Sequence, residues 1–211
     1  MKTLYEKFDK ARISNYPTIA FPGKITEVSD AEAVHDAVTY LRQHKVIGID
    51  TETRPSFRKG KTHKVALLQL ATMEQCFLIH LNLLGLPPAI IALFEDTDIV
   101  KVGLSLNDDI HMLQQRQKFT PAGFVDLQTL FPELGIADMS LQKLYANIFH
   151  QRISKRQQLS NWESVPLTEK QQSYAATDAW SCLKLYDEYL LLKQNHDYVL
   201  IKETTDEQNE E

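Results

Sequence analysis

Three apolar runs, VIGIDT (46–51), VALLQLAT (65–72) and CFLIHL (76–81), restrict the fold more than any other feature of the chain. Each has the length and aliphatic content of a strand, and the gap between the second and third leaves room only for a turn. They predict a three-strand meander. A short strand at 24–28 precedes it, followed by a helix to about residue 44, opened by Ser29 with Glu32 completing a capping box. Downstream, a helix at 88–95, a buried strand at 99–103, a helix at 106–116 and a short strand at 124–126 alternate as in α/β proteins. From Leu127 onward the chain reads as helical, broken near Pro132, Gly135 and Pro166, with a final helix from Thr168 towards Gln194. The expected class is α/β with a helical C-terminal half.

A chain of 211 residues with 43% hydrophobic residues can bury one full core. The break at Pro22 and Gly23 suggests an N-terminal extension (1–22), a single domain (23–194) and a C-terminal acidic tail (195–211), disordered over 204–211. No run approaches the roughly 18 apolar residues that span a bilayer, and the start, MKTLYEKFDKARIS, is charged where a signal peptide is apolar. The expectation is a cytoplasmic protein without membrane contact. Cys76 and Cys182 have no paired Cys or His spacing, which supports neither a disulfide framework nor a zinc site and leaves them as reduced core residues. The net charge of −5 excludes a protein that holds nucleic acid by overall basicity, so any such contact must be local.

The acids carry the chemistry. Side chains two apart on a strand share a face, so Asp50 and Glu52 project together from the end of the first run. Tyr174 and Asp178, four apart, share a face of the helix that Thr168 and Gln171 cap. Of Asp108 and Asp109, the first fits near N3 of a helix capped by Ser105, where it would answer backbone N–H groups. Asp109, rotated by about 100°, has no such duty and is the better ligand candidate. Each feature alone also reads as a solvated strand end, a core tyrosine or a surface acid. Together, oxygen ligands of this kind suit hard divalent cations, which in pairs activate water and stabilise the departing oxygen at phosphorus. No Ser/His/Asp or Cys/His set and no GxxxxGKS or GxGxxG offers a competing chemistry.

These motifs, DTE at 50–52 followed by KVALLQLAT, then KVGLSLNDDIHML, then NWESVPLTEKQQSYAATDAW with its YxxxD, resemble the tyrosine-containing branch of the DEDD superfamily of 3′→5′ exonucleases. The likeness runs from about Lys24 to Leu190 and is greatest to the Werner-type exonuclease domain, with ribonuclease D related. It implies a ribonuclease H-like fold with a mixed central sheet flanked by helices. It also implies two divalent cations, Mg²⁺ or Mn²⁺, on Asp50, Glu52, Asp109 and Asp178, with Tyr174 positioning the attacking water. Leu113, four positions after Asp109, matches the second motif and favours Asp109 over Asp108. The reaction implied releases nucleoside 5′-monophosphates from 3′ ends of DNA or RNA.

Two basic clusters could hold phosphates: Arg54, Arg58, Lys59, Lys61 and Lys64 directly after the DTE motif, and Arg152, Lys155 and Arg156. Both also read as solvated loops. Phe57 and Trp162 could stack on an unpaired base, although core packing suits Trp162 better. The competing reading is a catalytically silent nucleic-acid-binding module of the same fold, which loss of an acid would mark; all four acids and the tyrosine are present. Nothing in the sequence selects a protein partner.

Overall fold

The computed structural model describes residues 1–56, 58, 60 and 62–202. In chain order the elements are β1 (Lys2–Tyr5), α1 (Lys10–Ile13), β2 (Lys24–Val28), α2 (Ala31–Leu41), β3 (Val46–Thr53), β4 (Val65–Ala71), β5 (Gln75–His80), α3 (Leu81–Leu84) and α4 (Pro88–Phe94). There follow β6 (Val100–Gly103), α5 (Leu106–Gln114), β7 (Phe124–Asp126), α6 (Leu127–Leu130), a 3₁₀ turn (Phe131–Leu134), α7 (Leu141–Phe149), α8 (Glu169–Asn195) and β8 (Tyr198–Ile201). The predicted meander is β3–β4–β5, antiparallel throughout, with β4 buried along its whole length because helices cover both of its faces.

The meander is the centre of a six-stranded sheet in the order β2-β5-β4-β3-β6-β7, in which β2/β5, β3/β6 and β6/β7 pair in parallel. The sheet is therefore mixed. On one face Ile47, Ile49, Leu68, Leu70 and Ile79 pack against Val34, Val38 and Leu41 of α2, Ile90 and Leu93 of α4 and Leu113 of α5. On the other face lies α8, whose Ala175, Ala176 and Ala179 meet Leu67, Ala71 and Leu78. Small residues let this helix sit low on the sheet: a Cβ on Gly48 of β3 would lie 2.1 Å from the Ala179 carbonyl oxygen.

Two helix starts differ from expectation. Asp30, not Ser29, caps α2, accepting from the Ala33 N–H at 2.9 Å. Ser105 stands in the left-handed region (φ 64°) before α5 with no side-chain cap. The Asp126 carboxylate at the end of β7 takes that duty instead, accepting from Ser105 and Leu106 N–H at 3.0 and 2.8 Å and from Gln128 N–H at 2.9 Å. A long-range acid thus replaces the local Ser105/Asp108 cap, and Asp108 stays exposed. The box at Thr168 and Gln171 forms as expected.

The ends of the described chain also differ. Residues 195–211 read as an acidic tail, yet Tyr198–Ile201 form β8, paired in parallel with β1. Its apolar residues have somewhere to go: Leu4 of β1 is fully buried among Leu127, Phe131, Leu134 and Leu185, with Leu200 packed against the same cluster. The N-terminal extension is equally fastened, with Phe8 and Ile13 packed on Ala146 of α7. Residues 203–211, including the stretch expected to be disordered, lie outside the described residues. No helix among the described residues is long and apolar enough to cross a membrane.

Candidate active site

Strand alternation puts Asp50 and Glu52 on the α8 face of β3, and the helix brings Asp178 against them. Ligand oxygens of the three carboxylates lie within 4.8 Å of one another. They line an open cleft of about 400 Å³ with Tyr174, Lys155, Met139, Gln142 and Gln158. Asp109 stands apart from this trio. Thr51 points to the opposite face of the strand from its neighbours, and its hydroxyl donates to Asp109 Oδ1 at 2.5 Å. Asp109 is nevertheless close enough for its charge to act on Asp50 and Glu52.

Burial and mutual repulsion dominate the electrostatics. Burial, then the charges of Asp178 and Asp109, push Asp50 well above the usual carboxylate range. Burial, then the charges of Asp50, Asp178 and Asp109, push Glu52 up to about 10. Burial raises Asp178 to about 7 against the opposing influence of the Tyr174 hydroxyl and Lys155, and raises Asp109 to about 6 against the Thr51 hydrogen bond. Tyr174 is also pushed up, by burial and then by Asp178, Glu52 and Asp50, so its phenol is a neutral O–H donor. Its ring stands 5.8 Å from that of Trp162, which is fully buried. Trp162 is thus a packing partner of Tyr174, not a stacking surface for a base.

The trio fits a divalent cation. Asp178 Oδ1 is buried with no hydrogen-bond partner among the described residues, although a carboxylate oxygen in that position ordinarily demands one. The donors are all hard oxygens, and raised carboxyls are the expected state of such ligands without a cation to offset their charge.

The basic residues are divided by their surroundings. Arg54 is exposed and its guanidinium donates to Glu163 Oε2 at 2.8 Å, while His63 Nδ1 lies 3.4 Å from Glu163 Oε1. Glu163 of the NWES segment therefore ties down the β3–β4 connection, a role its sequence position does not reveal. Arg58 and Lys64 are exposed, whereas Phe57, Lys59 and Lys61 lie outside the described residues. Lys155 faces the trio, and Arg152 and Arg156 line an adjoining groove. Thr51 and Asp126 are two positioning residues that the sequence motifs do not single out. The first is legible as a hydroxyl between two acids and facing the other side of the strand from both; the second depends on a partner 20 residues away.

The mixed sheet, with three acids gathered where a long helix crosses it, has a ribonuclease H-like architecture. Comparison narrows this. The family model described as 3′-5′ exonuclease matches residues 25–192. The chain is 32% identical over 182 residues, 82% of its length, to the bifunctional 3′-5′ exonuclease/ATP-dependent helicase WRN of Mus musculus, of which it spans 13%. It is 31% identical over 202 residues to a 3′-5′ exonuclease of Arabidopsis thaliana, covering 87% of this chain and 70% of that protein. Among solved structures, the Nibbler EXO domain of Aedes aegypti superposes with a TM-score of 0.77 at 22% identity, over 86% of this chain and 95% of that one. The chain belongs to the 3′-5′ exonuclease family.

Proposed function

We propose that this protein is a divalent-metal-dependent 3′→5′ exonuclease that hydrolyses the terminal phosphodiester of DNA or RNA strands and releases nucleoside 5′-monophosphates. The observation that carries the reading is the convergence of Asp50, Glu52 and Asp178 within 4.8 Å beside the neutral phenol of Tyr174, in an open cleft. Asp50, Glu52 and Asp178 would hold the cations, with Asp109 completing the set once its Thr51 hydrogen bond is exchanged. Two Mg²⁺ or Mn²⁺ ions there would activate the attacking water and offset charge on the leaving oxygen. Tyr174 orients that water through its hydroxyl, its ring held by Trp162. Lys155 places positive charge at the mouth of the cleft, where the scissile phosphate enters.

The test is hydrolysis of matched 5′-labelled DNA and RNA oligonucleotides with Mg²⁺, Mn²⁺ or EDTA, with Asp50→Ala as control. A ladder shortening from the 3′ end that needs both metal and Asp50 supports the reading and ranks the two substrates. Intact strands with measurable binding would favour a silent binding module.

A further inference from the structure

The N-terminal segment forms one wall of a groove of about 570 Å³. Lys10 and Ser14 of the α1 region and Thr18 stand on that wall, with Arg152 bridged to Thr18; Lys155 and Arg156 also line the groove. The chain carries 28 acidic residues against 23 Lys and Arg, yet no carboxylate among the described residues lines this groove. Four cations thus line it, of which Lys155 also faces Asp178 in the adjoining cleft. The groove is continuous with the catalytic cleft, sharing Gln142, Ile153, Ser154 and Lys155 with it.

The wall is built into the fold. Arg152 N–H donates to the Pro17 carbonyl at 3.0 Å, and Ile19 N–H donates to the Arg152 carbonyl at 3.0 Å. The Arg152 Nε donates to Thr18 Oγ1 at 2.8 Å, which fastens this lining side chain to the N-terminal segment. Phe8 N–H donates to Asp138 Oδ2 at 2.6 Å, and Tyr5 exchanges two hydrogen bonds with Asn147, so the segment carrying Lys10 is anchored to α7 and the turn before it. Holding like charges in a fixed channel favours an anionic occupant of extended shape. Hydroxyl and amide donors among the cations suit phosphate and sugar oxygens, and the groove has no aromatic lining among the described residues on which bases could stack.

We propose that this groove binds the sugar-phosphate backbone of a single strand, DNA or RNA, on the 5′ side of the nucleotide in the cleft, with Lys10 and Arg152 touching phosphates. The N-terminal segment is then part of the substrate site. This inference rests on the exonuclease reading for the polarity of the strand. It predicts affinity that grows with strand length, ignores base sequence and falls steeply with salt.

The experiment compares the full chain with Lys10→Glu and with Lys118→Glu, which makes the same charge change at an exposed site outside the groove. Fluorescence anisotropy of 5′-labelled DNA and RNA strands of 4 and 16 nucleotides is followed in EDTA over a salt series, with hydrolysis in Mn²⁺ run in parallel. The expected result is tighter binding of the longer strand by wild type and a loss of about fivefold or more on that strand for Lys10→Glu. The salt slope should shrink by about 0.7 for each phosphate that the variant no longer neutralises, and Lys118→Glu should match wild type. Equal effects of the two variants, or none from Lys10→Glu, would overturn the groove even if wild type degrades both strands. Lys10-dependent binding without any hydrolysis would instead sink the exonuclease reading and leave the groove standing.

Discussion

Glu52 shows the cost of the site, because burial and three neighbouring negative charges all act against its ionised form. The consequence is a pH dependence with a defined sign. Unfolded, these acids release their protons near pH 4; folded, Asp109, Asp178 and Glu52 keep theirs up to about 6, 7 and 10. Between those limits the native state binds more protons, so this stabilising contribution is complete below about pH 4 and is lost as pH rises through the folded values. The melting temperature of the protein in EDTA should therefore fall between about pH 5.5 and 8, and added Mg²⁺ or Mn²⁺ should raise it more at the upper end. Glu52→Gln should raise the EDTA value at pH 8 by about 2–4 °C, equivalent to roughly 1 kcal/mol, while abolishing hydrolysis. A flat profile would remove the claim that repulsion strains the site. Asp109 and Asp108 separate by a different measurement. Asp109→Ala should eliminate metal-dependent turnover, whereas exposed Asp108→Ala should change both turnover and stability little, by about 0.5 kcal/mol or less in unfolding free energy. A large stability loss at Asp108 would restore the local cap that Asp126 has displaced.

At the scale of elements, the site exists because α8 lies close on β3. The helix brings Tyr174 and Asp178 to the acids of the strand, and the approach is set where the Gly48 backbone meets the Ala179 carbonyl. Gly48→Ala forces these two backbones apart. It should cost about 1–3 kcal/mol in denaturant unfolding and reduce kcat by a larger factor than that stability loss explains, since the displaced helix moves a proposed ligand and the tyrosine together. Retained turnover in a folded Gly48→Ala protein would show that the ligand geometry tolerates a shift of α8. A second clamp holds the start of this helix. Glu27 of β2 pairs with buried His80 at 2.6 Å, accepts from Leu167 N–H at 3.1 Å and accepts from Gln172 at 2.7 Å. That carboxylate ties the sheet edge to the start of α8 and to the segment bearing Trp162, which in turn supports the Tyr174 ring.

At the scale of the whole molecule, the first and last described strands close on each other. β1 and β8 pair beside the core under α7 and α8, and Leu4 contributes a fully buried side chain there. Leu4→Ala should cost about 2–5 kcal/mol in urea unfolding, a result incompatible with a loosely attached extension; an unchanged midpoint would return the N-terminal segment to that status. What is legible in the sequence follows from local periodicity and chemistry. The apolar runs dictate the meander, the i, i+4 spacing puts Tyr174 and Asp178 on one helical face, the Thr168/Gln171 box marks where that helix begins, and the DTE spacing puts Asp50 and Glu52 on one strand face. Each depends on residues within a turn or a strand of one another. Contacts between distant segments decided the rest: Asp126 displaced the Ser105 cap, Glu163 paired with Arg54, Thr51 bonded Asp109, and the 198–201 strand found β1 nearly two hundred residues away. A side chain's partners across the fold have no signature in its own neighbourhood, so only the folded chain could show which charges were spent within the protein and which were left for a ligand.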